Sequence, residues 1–275
     1  MDLPTEVLDY ILSFLQSEVA ILEACAQSHP ILSKLVERYL HANIILDEIR
    51  TPNNNCLRVV ELRKLLSDSP YISNYVRNLT IRVRFHRKQH RLSDVVEISA
   101  ILPRLSGLKT LTLCTIGDTI CPWEVLPKAF RLAFLDFLNQ GPPKEISIKR
   151  FFSFPLSLLD DCRTIKKLTL DGCSVVCPEG PRDQPGSTRL EHLFIRDCND
   201  ASLENIITWL QPCHVQVQSL TLSRPHKRQS FTDTSFQGLS RLLSVCLNSL
   251  TSLNICLSDS CVSYSLTRVS GADLF

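Results

Sequence analysis

Cys173, Cys177 and Cys198, with His192 close by in sequence, carry the sulfur and nitrogen donors that a tetrahedral zinc site takes. Only Cys173 and Cys177 are loosely suitably spaced, and no second tight pair follows. No metal site is therefore expected, and Cys173 and Cys198 are read as positions where a small side chain tucks against a turn. A second chemical signal is basic. Arg82-Val-Arg84-Phe85-His86-Arg87-Lys88-Gln89-His90-Arg91 holds five Arg or Lys in ten residues, and Arg224-Pro-His226-Lys227-Arg228 is a shorter run. Such runs suit an anionic partner or a nucleic-acid backbone. Each follows a predicted strand, so a solvated loop is the expected role, with nucleic-acid binding through basic rim loops as an alternative. The eight glycines form no phosphate-cradling loop, and neither Gly-x-Ser-x-Gly nor His-Glu-x-x-His occurs. No cofactor and no catalytic residue is expected.

The elements that must position these residues come from a repeat. A phrase apolar-x-x-Leu/Ile-x-Leu/Ile recurs seven times, with central residues Leu79, Leu111, Ile146, Leu168, Leu193, Leu220 and Leu253. Two copies extend to Leu168-Thr-Leu170-Asp-Gly-Cys173 and Leu193-Phe-Ile195-Arg-Asp-Cys198, the full leucine-rich-repeat phrase. The spacings are 32, 35, 22, 25, 27 and 33 residues. Helical periodicity fills the intervals at 94–105, 124–138, 202–210 and 235–247. Each unit then reads as strand, turn and helix, and stacking gives an α/β solenoid, with a parallel sheet on the concave side and helices on the convex side.

Within each phrase the two Leu or Ile residues point inward, and the alternating residues face outward from the sheet. Most outward positions are Thr or Ser, which suit an exposed pleated surface. The middle repeats differ. Lys149, Lys167, Asp171, His192, Phe194 and Arg196 make a charged patch around one aromatic, the expected target-binding face. An array of this kind binds along a surface, so a non-enzymatic binding protein is the leading expectation.

The chain of 275 residues is 44% hydrophobic, has no apolar run long enough for a membrane span and lacks a basic N-terminal region of the secretory kind. A cytoplasmic or nuclear protein with reduced thiols is expected from this. Charge is split: residues 1–49 hold eight acidic and two basic side chains, against twenty acidic and twenty-eight basic in the rest. Two modules with different surfaces follow from that asymmetry. The first is read as three short helices, with Asp2 as a cap, a second helix at 19–27 and a third opened by Pro30. Ile21, Leu22 and Cys25 are expected inward on the second helix, and Ile31, Leu35, Tyr39 and Leu40 on the third. On the first helix Tyr10 and Phe14 widen the apolar face, and more apolar surface results than three helices can cover.

Leu3-Pro4-Thr5-Glu6-Val7-Leu8-Asp9-Tyr10-Ile11-Leu12-Ser13-Phe14-Leu15 resembles the opening of an F-box. The segment Leu22 to Leu32 and the bridge Leu65 to Ile81 resemble those of fungal, basidiomycete F-box proteins. His29, Pro30 and Ile31 stand where that variant usually has an Arg and an aromatic. The resemblance implies an F-box/leucine-rich-repeat protein: a substrate receptor of a cullin ubiquitin ligase, docking a Skp1-like adaptor through Leu3, Pro4, Val7, Leu8, Ile11 and Leu15. The expected organisation is an F-box module at 1–47, a helical linker at 48–75, an array of about seven strand–helix units at 76–257, and a poorly ordered tail at 258–275. The competing reading is a leucine-rich-repeat scaffold that recruits no ligase.

Overall fold

The computed structural model describes residues 3–16, 18–47, 56–83, 93–116, 120–141, 143–160, 162, 164–177, 189–211, 215–224, 233–257 and 261–265. These form an α/β protein with eight α-helices and a large, mainly parallel sheet. The chain divides into two compact units: Met1–Thr112 with Pro127–Phe134, and Leu113–Leu126 with Leu135–Phe275. Among the described residues no helix is long and apolar enough to cross a membrane. The expected cap Asp2 and both basic runs beyond Val83 and Arg224 lie outside the described residues.

The first unit opens with α1 (Thr5–Phe14), α2 (Val19–Ser28) and α3 (Pro30–Leu40). Pro4 precedes α1, and among the described residues no side chain caps that helix. Pro30 starts α3, where a missing N–H costs nothing. His29 is extended there, and its Nδ1 accepts a hydrogen bond from the Ile31 amide at 3.2 Å. The shared core is small: Leu12, Leu22 and Val36 are buried, with Leu15, Cys25, Leu32, Leu35, Tyr39 and Leu40 packed around them. Ile21 and Ile31, expected inward, are exposed. Each lies one residue off the stripe that meets the core, a turn of about 100° around the helix.

Next come β1 (Asn43–Leu46), β2 (Cys56–Leu57), α4 (Val59–Asp68), a 3-10 turn at Pro70–Asn74, β3 (Asn78–Val83), α5 (Ser93–Ile101) and β4 (Thr110–Thr115). β1 is parallel to both β2 and β3, with Asn43 opposite Asn78 and Leu46 opposite Ile81. The sheet therefore begins inside the segment read as purely helical. Asn43-Ile-Ile-Leu46 escaped detection because it is a short apolar run without the six-residue phrase. Next to it, buried Asp47 pairs with Arg82 at 3.6 Å.

Between the two runs of strands lie β5 (Cys121–Pro122) and α6 (Lys128–Gln140). The second unit continues with β6 (Glu145–Lys149), β7 (Phe151–Phe152), β8 (Phe154–Pro155), β9 (Lys167–Asp171), β10 (Val175–Val176), β11 (Arg189–Arg196), α7 (Asp200–Leu210), β12 (Gln216–Arg224), α8 (Asp233–Cys246), β13 (Ser252–Leu257) and β14 (Cys261–Ser265). The order β6-β9-β11-β12-β13 is parallel throughout. The paired apolar residues of β6, β9 and β11 are buried, as the phrase requires. Leu222 and Ile255, in β12 and β13, are only half-buried.

Three expectations fail here. A helix does not follow every strand: β6 leads through β7, β8 and a 3-10 turn at Leu156–Leu159 to β9, and β10 is the only described element between β9 and β11. Those are the two shortest repeat intervals, and close-packed strands that short need only a turn to cover them. The segment read as an unordered tail contains β14, which runs antiparallel to β13 with Cys261 opposite Cys256. Cys256 is disulfide-bonded, contrary to the expectation of thiols throughout, whereas eight other described cysteines are free.

Candidate binding surfaces

The register of the second unit brings the six expected target-face residues together on β6, β9 and β11. Strand pairing aligns them in rungs: Glu145, Lys167 and His192; Ser147, Thr169 and Phe194; Lys149, Asp171 and Arg196. Ser219, Thr221 and Ser223 of β12 extend the same rungs. Phe194 is half-buried between neighbours with small side chains, and His192 is exposed.

Much of the charge is spent within the face. Lys167 pairs with Glu145 at 3.6 Å, and Arg196 lies 3.8 Å from Asp171 and 3.9 Å from Asp197. Lys149 sits opposite Asp171 in register yet forms no ion pair among the described residues. Glu145 and Asp197 are thus members of the patch that the sequence did not single out. Their pairing depends on register, which no single strand contains.

A repeated turn closes this face at one end. The residue after the last outward position adopts a left-handed conformation in three successive strands: Arg150 at φ 61°, Gly172 at φ 62° and Asp197 at φ 53°. Each amide donates to the next strand, Arg150 to the Asp171 carbonyl at 2.7 Å, Gly172 to Arg196 at 2.8 Å and Asp197 to Ser223 at 3.1 Å. Glycine and aspartate accept that conformation readily; arginine does so at a cost. A Cβ on Gly172 would meet Arg150 Cγ at 3.4 Å, an ordinary contact, so the left-handed backbone rather than space favours glycine there.

The zinc-like residues take another role. Cys173 Sγ donates to the Ile148 carbonyl at 3.2 Å, and Cys198 Sγ approaches the equivalent Leu170 carbonyl at 3.9 Å. Desolvation pushes the Cys173 thiol up to about 11 and the Cys198 thiol to about 12. Protonated, buried thiols are poor metal ligands and poor nucleophiles. Among the described residues no group of three His, Cys, Asp or Glu is placed to hold a metal.

The second surface is on α1. Leu3, Val7, Tyr10, Ile11 and Phe14 are exposed, with Tyr10 and Phe14 each at 66% and their rings edge to face at 4.8 Å. Leu8 and Leu15, which the motif placed with the docking residues, are half-buried, and Leu15 packs on the three-helix core. Pro4 is exposed at the head of the stripe. Positions 3, 7, 11 and 14 share one face of a helix by spacing, and 8, 12 and 15 share the next. Sequence spacing shows both stripes; only packing decides which one is outward.

Compared with protein-family models, curated proteins and solved structures, the chain matches none of them. The functional reading therefore rests on the two surfaces and on the sequence of α1. One surface is apolar and aromatic, the other polar and charged.

Proposed function

We propose that the chain is a non-catalytic target receptor of a cullin ubiquitin ligase. Its helical module docks a Skp1-like adaptor, and its repeat sheet holds a target protein. The observation that carries this reading is the exposed stripe of Leu3, Val7, Ile11 and Phe14, with Tyr10 beside it, on a helix whose sequence resembles an F-box opening. An apolar helix face in water favours a partner that removes it from solvent, and anchors at this spacing suit an apolar groove. The strands of both units, on this reading, make up an irregular leucine-rich-repeat solenoid. Lys149, Lys167, Asp171, His192, Phe194 and Arg196 hold the target there.

The receptor lowers no chemical barrier itself. Holding the target beside a recruited ubiquitin-conjugating enzyme makes transfer effectively intramolecular, which raises the local concentration of the acceptor. Co-purification with a Skp1-like adaptor tests the reading. Leu3→Ala combined with Pro4→Ala is expected to abolish capture while circular dichroism stays unchanged. Equal capture by the variant, or none by the wild type, leaves the scaffold reading in its place.

A further inference from the structure

The outward and inward stripes of α1 differ by a single residue step. Val7, Ile11 and Phe14 face solvent, and Leu8, Leu12 and Leu15 lie against or beside the core. Each outward residue is followed in sequence by an inward one, and all six are apolar. Turning the helix by one residue, about 100°, would bring Val7, Ile11 and Phe14 to the places of Leu8, Leu12 and Leu15 at similar apolar volume. Hydrophobic packing alone specifies that rotation weakly.

A polar contact breaks the tie. Asp9 lies away from the exposed stripe and receives two groups from α3. Tyr39 Oη donates to Asp9 Oδ1 at 2.7 Å and to the Asp9 carbonyl at 3.0 Å. Arg38 forms an ion pair with the same carboxylate, and its guanidinium lies 5.2 Å from the centre of the Tyr39 ring. In the turned arrangement Leu8 would occupy the place of Asp9. Tyr39 and Arg38 would then both lose the carboxylate, as Asp9 moved away from them.

We infer that Asp9 is a positioning residue: its contacts with Tyr39 and Arg38 set the rotation of α1 and so select Val7, Tyr10, Ile11 and Phe14 as the presented face. The consequence for adaptor docking rests on the function proposed above; the rotation itself does not. Polar contacts in small helical assemblies act in this way, fixing register where apolar packing is nearly degenerate.

Hydroxyl-radical footprinting of the full chain, read by mass spectrometry, tests the rotation directly. In the wild type, Tyr10 and Phe14 oxidise readily and Leu12 is protected. Asp9→Ala is expected to lower the Phe14-to-Leu15 oxidation ratio by about threefold to fivefold, the range supported by an exposed carboxylate pair, with helicity retained. Asp9→Asn keeps an acceptor for Tyr39 and should restore most of the wild-type pattern. If Asp9→Ala loses helicity, Tyr39→Phe provides the same test with the ring volume kept, and a shift in the ratio supports the inference. An unchanged ratio in a folded Asp9→Ala or Tyr39→Phe chain overturns it, as does Asp9→Asn behaving like Asp9→Ala. Adaptor capture, measured on the same preparations, reports separately. Wild type that captures no adaptor removes the docking reading, and the footprint still decides the role of Asp9.

Discussion

The α1 stripe and the β6-β9-β11 face meet water on opposite terms. The stripe exposes large apolar side chains above a core of three buried residues, and nothing among the described residues of its unit covers it. The sheet face satisfies much of its own charge through Lys167–Glu145 and Arg196–Asp171, above strands whose inward Leu and Ile residues are buried. A surface that leaves apolar area in solvent gains by acquiring a partner. A surface that is already paired exchanges one set of contacts for another, so it favours selectivity over strength. On the proposed function, that difference suits constitutive docking by the helix and conditional target contact by the sheet.

Four measurements sharpen or break that contrast, and the largest concerns the ground beneath each surface. Leu170→Ala removes a fully buried side chain from the centre of the second unit. It should lower unfolding free energy by about 4 kcal/mol in denaturant titration. Leu22→Ala in the helical module should cost about 2 kcal/mol, because a three-residue core with exposed neighbours can relax around the gap. Equal losses would mean that the two surfaces rest on equally rigid supports.

Docking comes next. Ile11→Asp with Phe14→Asp places charges in the apolar stripe and should weaken adaptor capture by roughly 100-fold or more, with helicity preserved. The same capture should be indifferent to Phe194→Ala. An adaptor sensitive to Phe194 would show that the two surfaces do not divide the work as described.

Alkaline pH probes the thiols behind the sheet face. Burial favours the protonated form and raises Cys173 from 9.0 to about 11 and Cys198 from 9.0 to about 12. Their contribution is therefore complete below the unfolded value and is withdrawn as pH rises through this window. The second unit should lose several kcal/mol between those limits, read by urea titration at successive pH values. Replacing both thiols by Ala should flatten the profile. A slope that persists in the double variant assigns the alkaline loss to other groups.

The smallest effect tests the self-pairing. Arg196→Gln breaks a contact with Asp171 whose side chains are 49% and 24% exposed, and should shift stability by about 0.5 kcal/mol. A larger loss would make the face a structural network and remove it as a surface free to exchange partners.

The seven strand phrases were legible because burial of alternate residues writes directly into sequence with a period of two. Strand β1 was not, since four residues carry too little periodicity, and its place beside β3 comes from parallel pairing. That six residues of the middle strands share one sheet face could be read in advance because register follows from aligned phrases. Their ion pairs were not visible: Lys167 meets Glu145 and leaves Lys149 free of one, although both lysines occupy outward positions on neighbouring strands. On α1 the apolar residues were visible, but Leu15 and Phe14 exchanged roles once packing was known.

Sequence by itself determined the repeat, the inward residues of its strands, the helical opening and its excess of apolar surface. These follow from local periodicity and from which side chains water excludes. Tertiary structure decided which of two nearly equivalent stripes α1 presents, which charges on the sheet cancel, and that β14 pairs antiparallel with β13. Those outcomes depend on contacts between residues far apart in the chain, such as Tyr39 with Asp9 and Arg196 with Asp171, where the energy is set by distance in space.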